Sequence, residues 1–317
     1  MKGFASLLMK GVRKMKCGVL FRILSTFLAA YGILGMNPQS ADGQTGVILV
    51  AHGSPSPHWN QAVAEVVERV REHLKDEPGI AGVRLGYLEK ARPTIADAVS
   101  ELTALGCRRI VAVPMFIAAS GHVQYDVPTV LGVLHDPKVA RTLREEGITL
   151  VCPTVPITLT PPLSEGGCLD AYTLSEVKRL SQNPQREVLL LLLHGDDSFR
   201  PILDNLAKRV ISSVQKEVPL SAGDWCYVGV GQHYGSQAVP KIKEAMRRGQ
   251  RVLVVAIFLA SSARHFHERW VQQEANGNDP FQGREVAFSD QPLTQHPALV
   301  DDVIQFVREA IRRNCGE

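Results

Sequence analysis

From Val47 onward the chain alternates short, uninterrupted apolar runs with longer stretches whose apolar residues recur at helical spacing. A run such as Val47–Ala51 or Val252–Phe258 has no polar side to turn to water, so it predicts a strand buried on both faces, as in a parallel sheet covered by crossover helices. Strands are expected at Val47–Ala51, Val83–Leu88, Ile110–Phe116 and Ile148–Cys152, and again at Val188–Leu193, Cys226–Val230, Val252–Phe258 and Val286–Phe288. Helical patterns fall at Asn60–Leu74, Thr94–Leu105, Arg200–Lys216, Gln237–Arg248 and His296–Arg313. The pattern occurs twice: VILVAHGS from Val47 and LLLLLHGD from Leu189 are 142 residues apart, and the same offset carries Phe116–Ser120 onto Phe258–Ser262. Two duplicated α/β lobes are the economical reading, residues 44–160 and 161–317, with the Pro- and Gly-rich Pro153–Ala171 as linker.

Charge is unevenly placed. Six of the 35 Lys and Arg precede Asp42, the first acidic residue, and removing residues 1–43 leaves 29 basic against 31 acidic side chains. The lobes therefore carry no electrostatic footprint for a nucleic acid. The basic start leads into the uncharged run Ile23–Met36, then Asn37–Ser40 and the small-residue site Ala41-Asp42-Gly43, the order of a secretory signal. A 14-residue run is shorter than the roughly 20 residues of a spanning helix. The expectation is a periplasmic or otherwise extracytoplasmic protein beginning near Gln44; if the segment is retained, residues 1–36 are its only membrane contact. A lipoprotein reading fails because Cys17 precedes the apolar run, and the five later Cys contain no C-x-x-C pair, so their disulfide state is unread. With 45% hydrophobic and 21% charged residues, 317 residues can bury a sizeable core, which excludes collagen and disorder.

Ligands of open parallel sheets bind beyond the carboxyl ends of the strands, which directs attention to the polar residues that end each apolar run. In the first lobe these are His52 after strand one, Glu89 after strand two and His122 after strand three. Two imidazoles and a carboxylate at one sheet edge suit a divalent transition metal with positions left open for exchange. Each also has a plainer reading: His52 bonding loop backbone, Glu89 paired with Arg92, His122 a loop histidine. Ser54 and Ser56 precede a helix and are candidates to hold a ligand carboxylate or merely to cap it. Lys90, Arg92 and Arg264 are candidate carboxylate partners or ordinary surface charges. His58, His73, His135 and His296 lack convergent partners and receive no role.

The segments VAHGSPSP (Val50–Pro57), LEKARPTI (Leu88–Ile95) and VPMFIAASGHVQYDVP (Val113–Pro128) together resemble the sirohydrochlorin cobaltochelatase family of class II tetrapyrrole chelatases. The resemblance is strong over residues 46–134 and traceable in the second half, where Gln295-His296-Pro297 is similar to the family's lead into its last helix. It implies an α/β protein of two similar chelatase-like lobes, each a parallel four-stranded sheet flanked by helices, with an active-site cleft between them. It further implies ATP-independent insertion of a divalent metal, Co2+ first with Fe2+ or Ni2+ as alternatives, into a tetrapyrrole, with His52 and His122 as metal ligands and Glu89 near the metal. Metal insertion displaces two pyrrole protons, which imidazole and carboxylate can accept. No G-x-x-x-x-G-K nucleotide motif is present.

At the repeat offset the second lobe keeps His194 for His52 but has Gly231 for Glu89 and Arg264 for His122, with His233, His265, His267 and Glu268 close by. It is expected to act as a lid, or, with a one-residue slip to His265, to hold a second metal or haem. Two other functions stay open: a periplasmic metal- or tetrapyrrole-binding protein without turnover, and a serine hydrolase using Ser54, His122 and Asp126, which lacks the G-x-S-x-G elbow.

Overall fold

Seven consecutive residues, Thr45–Ala51, form strand β1 and all are buried. In the computed structural model, which describes residues 44–229 and 233–314, β1 lies inside an all-parallel sheet of order β2-β1-β3-β4, made with β2 (Ile80–Tyr87), β3 (Arg109–Pro114) and β4 (Ile157–Leu159). Leu49 stands opposite Leu85 on one side and Val113 on the other. The second sheet repeats the order as β6-β5-β7-β8, from β5 (Glu187–His194), β6 (Ala222–Val228), β7 (Arg251–Ile257) and β8 (Val286–Phe288). The expected α/β class and the paired four-stranded parallel sheets are both observed. The segment 1–43 with Cys17, and also Gly231 and Cys315, lie outside the described residues. Among the described residues no helix is long and apolar enough to cross a membrane, and Cys107, Cys152, Cys168 and Cys226 are free thiols.

The helices follow from local chemistry. Helix α1 (Pro57–Leu74) opens on a proline, whose missing N–H costs nothing in the first turn, and buries Val63, Val66, Val67, Val70 and Leu74 along one stripe. Helix α2 (Ile95–Ala104) starts with a capping box in which Thr94 and Asp97 satisfy each other's backbone N–H groups. The elements α3 (Val127–Val130), α4 (Pro137–Glu145), α5 (Cys168–Leu180) and α8 (Ala263–Gln273) were not expected from periodicity, whereas α6 (Arg200–Glu217), α7 (Tyr234–Arg247) and α9 (Pro297–Asn314) were.

One expected strand is displaced. Ile148–Cys152 is loop, and the fourth strand is Ile157–Leu159, within the segment read as linker. The tripeptide Ile-Thr-Leu occurs in both places. The first copy follows α4 across Gly147 and spends its backbone there: Ile148 N donates to Leu143 O at 2.8 Å and Val151 N to Val130 O at 2.8 Å. The second copy lies far enough along the chain to reach the sheet edge, where Ile110 N donates to Pro156 O at 2.9 Å.

The lobes exchange helices. Helix α5 follows the first sheet but packs on β7 and α6 of the second, and α9 follows the second sheet but packs on β3 and α1 of the first. The Tyr172 hydroxyl of α5 reaches Gln291 O at 2.7 Å, and the buried Asp302 of α9 accepts from Cys168 N at 2.7 Å, capping α5. Arg308 of α9 pairs with Glu77 beyond α1 at 2.7 Å. Asp302→Ala leaves the Cys168 N–H without a partner and is expected to cost about 1–3 kcal/mol. Urea denaturation measures it, and an unchanged midpoint would show that the cap contributes nothing.

Candidate metal centre

The chain runs from β1 to β2 on one side and then to β3 on the other, so β1 and β3 diverge at a switch point where a crevice opens at their carboxyl ends. His52 is the residue after β1. Two further backbone bonds extend the β1–β2 pairing past the strand ends, Leu88 N to Ala51 O at 2.8 Å and Glu89 N to His52 O at 3.0 Å, and these place Glu89 beside His52. Gly53 permits the approach: its φ is +87°, and a Cβ there would lie 1.9 Å from Glu89 O. His122 arrives from the far side on a π-helical turn, His122–Asp126, in which Val127 N donates to His122 O. The His52 and His122 rings meet edge to face, with centroids 4.9 Å apart.

Both nitrogens of His52 face oxygen acceptors: Nδ1 lies 2.8 Å from Gly53 O and Nε2 3.1 Å from Glu89 Oε1. A neutral imidazole has a single N–H, so one of these contacts sets lone pair against lone pair. Burial lowers the His52 pKa and disfavours the imidazolium that would satisfy both. In the tautomer whose Nδ1–H donates to Gly53 O, Nε2 and Glu89 Oε1 both present lone pairs, and a cation between them satisfies both. Two adjacent ligands at about 2.0–2.2 Å from one metal ion stand roughly 3.0–3.5 Å apart, which brackets the observed separation. His122 Nδ1–H donates to Asp126 Oδ2 at 2.7 Å, which leaves Nε2 as its lone-pair nitrogen in the carboxylate–histidine pairing common behind metal-ligating imidazoles. Among the described residues no three His, Cys, Asp or Glu groups already converge as a cage; Glu89 is held instead by Lys90, whose Nζ is 2.6 Å from the same Oε1.

A family model described as CbiX matches residues 46–177. A sirohydrochlorin cobaltochelatase of Saccharolobus solfataricus is 36% identical over 109 residues, 34% of this chain and 80% of that relative. The chain belongs to the sirohydrochlorin cobaltochelatase (CbiX) family. A sirohydrochlorin cobaltochelatase of Methanothermobacter thermautotrophicus is 34% identical over 88 residues, 28% of this chain and 58% of the relative. Two solved structures are similar to the two-lobed fold. SirB from Bacillus subtilis with Fe3+ has a TM-score of 0.62 at 18% identity, covering 86% of this chain and 98% of that one. The sirohydrochlorin chelatase SirB of Bacillus subtilis subspecies spizizenii in complex with cobalt has 0.59 at 18%, with the same coverage.

The other expected site residues of this CbiX chain are placed less centrally. Ser54 N donates to Asn60 Oδ1 at 3.0 Å and Ser56 N to Ser54 Oγ at 3.1 Å, so these amides are already taken. Arg92, the expected partner of Glu89 in its plainer reading, instead bonds Asp97 at 3.1 Å with its side chain 81% exposed. In the second lobe Arg264 and His265 are exposed in the first turn of α8, and the exposed His194 is set against Gly229 and Phe258. His267 is sealed in an aromatic cluster, stacked on Phe288 at 4.3 Å and 3.1 Å from Asp279 off the hydrogen-bonding direction. Asp126 had no place in the metal reading of the sequence; the signal was the His-x-x-x-Asp spacing from His122. Gly53→Ala is expected to cost at least about 1 kcal/mol through its positive φ and to separate Glu89 from His52. Urea denaturation of the variant checks this, and a wild-type midpoint would show that the close approach is not required.

Proposed function

We propose that this chain inserts a divalent cation, cobalt first, into a polycarboxylate tetrapyrrole such as sirohydrochlorin, without a nucleotide. The observation that carries the reading is the pair His52 Nε2 and Glu89 Oε1, 3.1 Å apart, beside a second imidazole whose Nδ1 is bonded to Asp126. The names of the relatives support cobalt; donor chemistry alone does not separate Co2+ from Fe2+ or Ni2+. The metal is a substrate, received by His52, Glu89 and His122 and given up to four pyrrolic nitrogens. Two pyrrole protons leave as it enters, and the lone pairs that release the metal are the bases that take them. Burial disfavours imidazolium at His52, which promotes onward transfer of its proton to solvent, and Asp126 fixes the His122 ring through Nδ1.

The second lobe supplies shape and charge. A guanidinium stays protonated and cannot ligate a metal, so Arg264, which stands at the repeat position of His122, suits a substrate carboxylate across the cleft. Ser54, Ser56 and Arg92 line the first-lobe side in this reading. The composition of residues 1–43 favours export, with mature protein beginning near Gln44; mass analysis of the N-terminus from fractionated cells tests it, and intact Met1 in the cytosolic fraction would exclude it.

Incubating the protein with Co2+ and sirohydrochlorin should change the tetrapyrrole absorbance faster than a no-enzyme control; Co2+ binding without conversion would leave a binding protein. His52→Ala and His122→Ala should each lose about two orders of magnitude in initial rate if a ligand contributes roughly 3 kcal/mol, and His194→Ala tenfold or less. Circular dichroism controls for folding, and a severe loss in His194→Ala beside a normal His122→Ala would move the chemistry to the second lobe. Protons compete with metal for neutral imidazole, so calorimetric Co2+ affinity should fall from pH 7.5 to 5.0, the His52-dependent part below the ordinary value of about 6.5 because burial lowers its pKa. Affinity unchanged across that interval would exclude imidazole ligation.

A further inference from the structure

Glu89 Oε1 lies 3.1 Å from the His52 Nε2 lone pair and is paired with Lys90 Nζ at 2.6 Å. The Glu89 side chain is 24% exposed, so much of its charge must be balanced from within the protein. Lys90 adopts a left-handed backbone, φ +60°, which non-glycine residues rarely occupy and which persists where the surroundings over-determine it. The surroundings here are explicit: Glu89 N is tied to His52 O, and Gly53 lies directly under the Glu89 carbonyl. The chain must turn sharply at Lys90, and its ammonium lies on the carboxylate of the preceding residue. Glu89 and Lys90 also line a hollow of about 400 Å³ with Arg92, Glu146 and Thr149, and the Lys90 side chain is half-exposed.

Resting on the chelatase reading above, we propose that Lys90 is a stand-in cation, holding the metal-binding oxygen of Glu89 in the empty site and released by the incoming divalent ion to pair with a carboxylate of the tetrapyrrole. A metal bound by both His52 Nε2 and Glu89 Oε1 draws on the oxygen that the ammonium holds, and two cations at one oxygen repel, so each weakens the other's hold. Loading the metal then frees a positive charge beside the site at the moment a polyanionic macrocycle must dock. The order of binding is metal first, tetrapyrrole second.

Calorimetric Co2+ titration without tetrapyrrole tests this with Lys90→Met, which keeps the stem and removes the charge. Loss of a competing ion pair of ordinary strength should tighten Co2+ by about three- to tenfold. In steady-state assays the same variant should lose more in KM for sirohydrochlorin than in kcat, and Lys90→Arg should restore KM. Lys90→Gly, which removes the charge and the backbone strain together, must tighten Co2+ as Lys90→Met does; tightening confined to the glycine variant would trace it to backbone relief and overturn the proposal. Co2+ affinity unchanged or weakened in Lys90→Met would overturn it alone, leaving Lys90 as a residue that orients Glu89. Wild-type protein that binds no Co2+, or binds it equally in His52→Ala, would overturn the chelatase reading and this inference with it.

Discussion

Because every residue of Thr45–Ala51 is buried, the first position along β1 at which an ionisable side chain can stand without severe desolvation is His52. β3 is buried from Ile110 to Pro114 and β2 over its last three residues, Leu85–Tyr87, so the polar groups that follow these buried ends are Glu89 and, after a loop, His122. A parallel sheet aligns those three strand ends, and the reversal of strand order at β1 opens the crevice that receives them. The chemistry of the site is thus a consequence of how thoroughly the strands are buried. The apolar core gathers the polar groups by excluding them everywhere else.

Duplication explains the second lobe and also limits it. At the offset of 142 residues β1, β2 and β3 start opposite β5, β6 and β7, so the scaffold that aligned three functional groups is present twice. What differs lies at the strand ends, where His194 remains but Arg264 has replaced an imidazole with a cation. His267, the histidine with the most elaborate surroundings in this half, is committed to an aromatic core. The exchange of α5 and α9 binds the halves together through the Asp302 cap on Cys168 and the Arg308–Glu77 pair, so each lobe is completed by a helix that follows the other.

Much of this was legible in the residues because burial on both faces writes itself as unbroken apolar sequence: seven of eight expected strands fall where the runs are. The eighth failed because Ile-Thr-Leu occurs twice within Ile148–Leu159 and intrinsic preference cannot say which copy reaches the edge of β3. The short helices α3 and α4 are fixed by proline, caps and tertiary contact more than by periodicity, and α5 was obscured by the Pro- and Gly-rich lead that starts it. In the candidate site, strand-end logic pointed to His52, Glu89 and His122, which the structure places side by side. It did not give Asp126 its role, since that depends on a π turn that no hydrophobic pattern encodes, nor the contact of Lys90 with Glu89, which depends on a single left-handed residue.

Charge balance connects these features. The first-lobe centre carries two carboxylates, Glu89 and Asp126, and one close ammonium, Lys90, around two imidazoles. A partly buried site of that composition tolerates a divalent ion readily, because each carboxylate already acts through a neighbouring imidazole or directly on the cation. On the proposed reaction, the ion leaves with charge +2 as two protons arrive from the macrocycle, so the total charge of site and substrate is conserved through the exchange. Little reorganisation of the surrounding dipoles is then demanded at the moment of transfer, which is where a low-dielectric crevice would otherwise raise the barrier most. The need for metal ligands that are also bases follows from that conservation, and imidazole, whose ordinary pKa is about 6.5, is the side chain that serves as both near neutral pH.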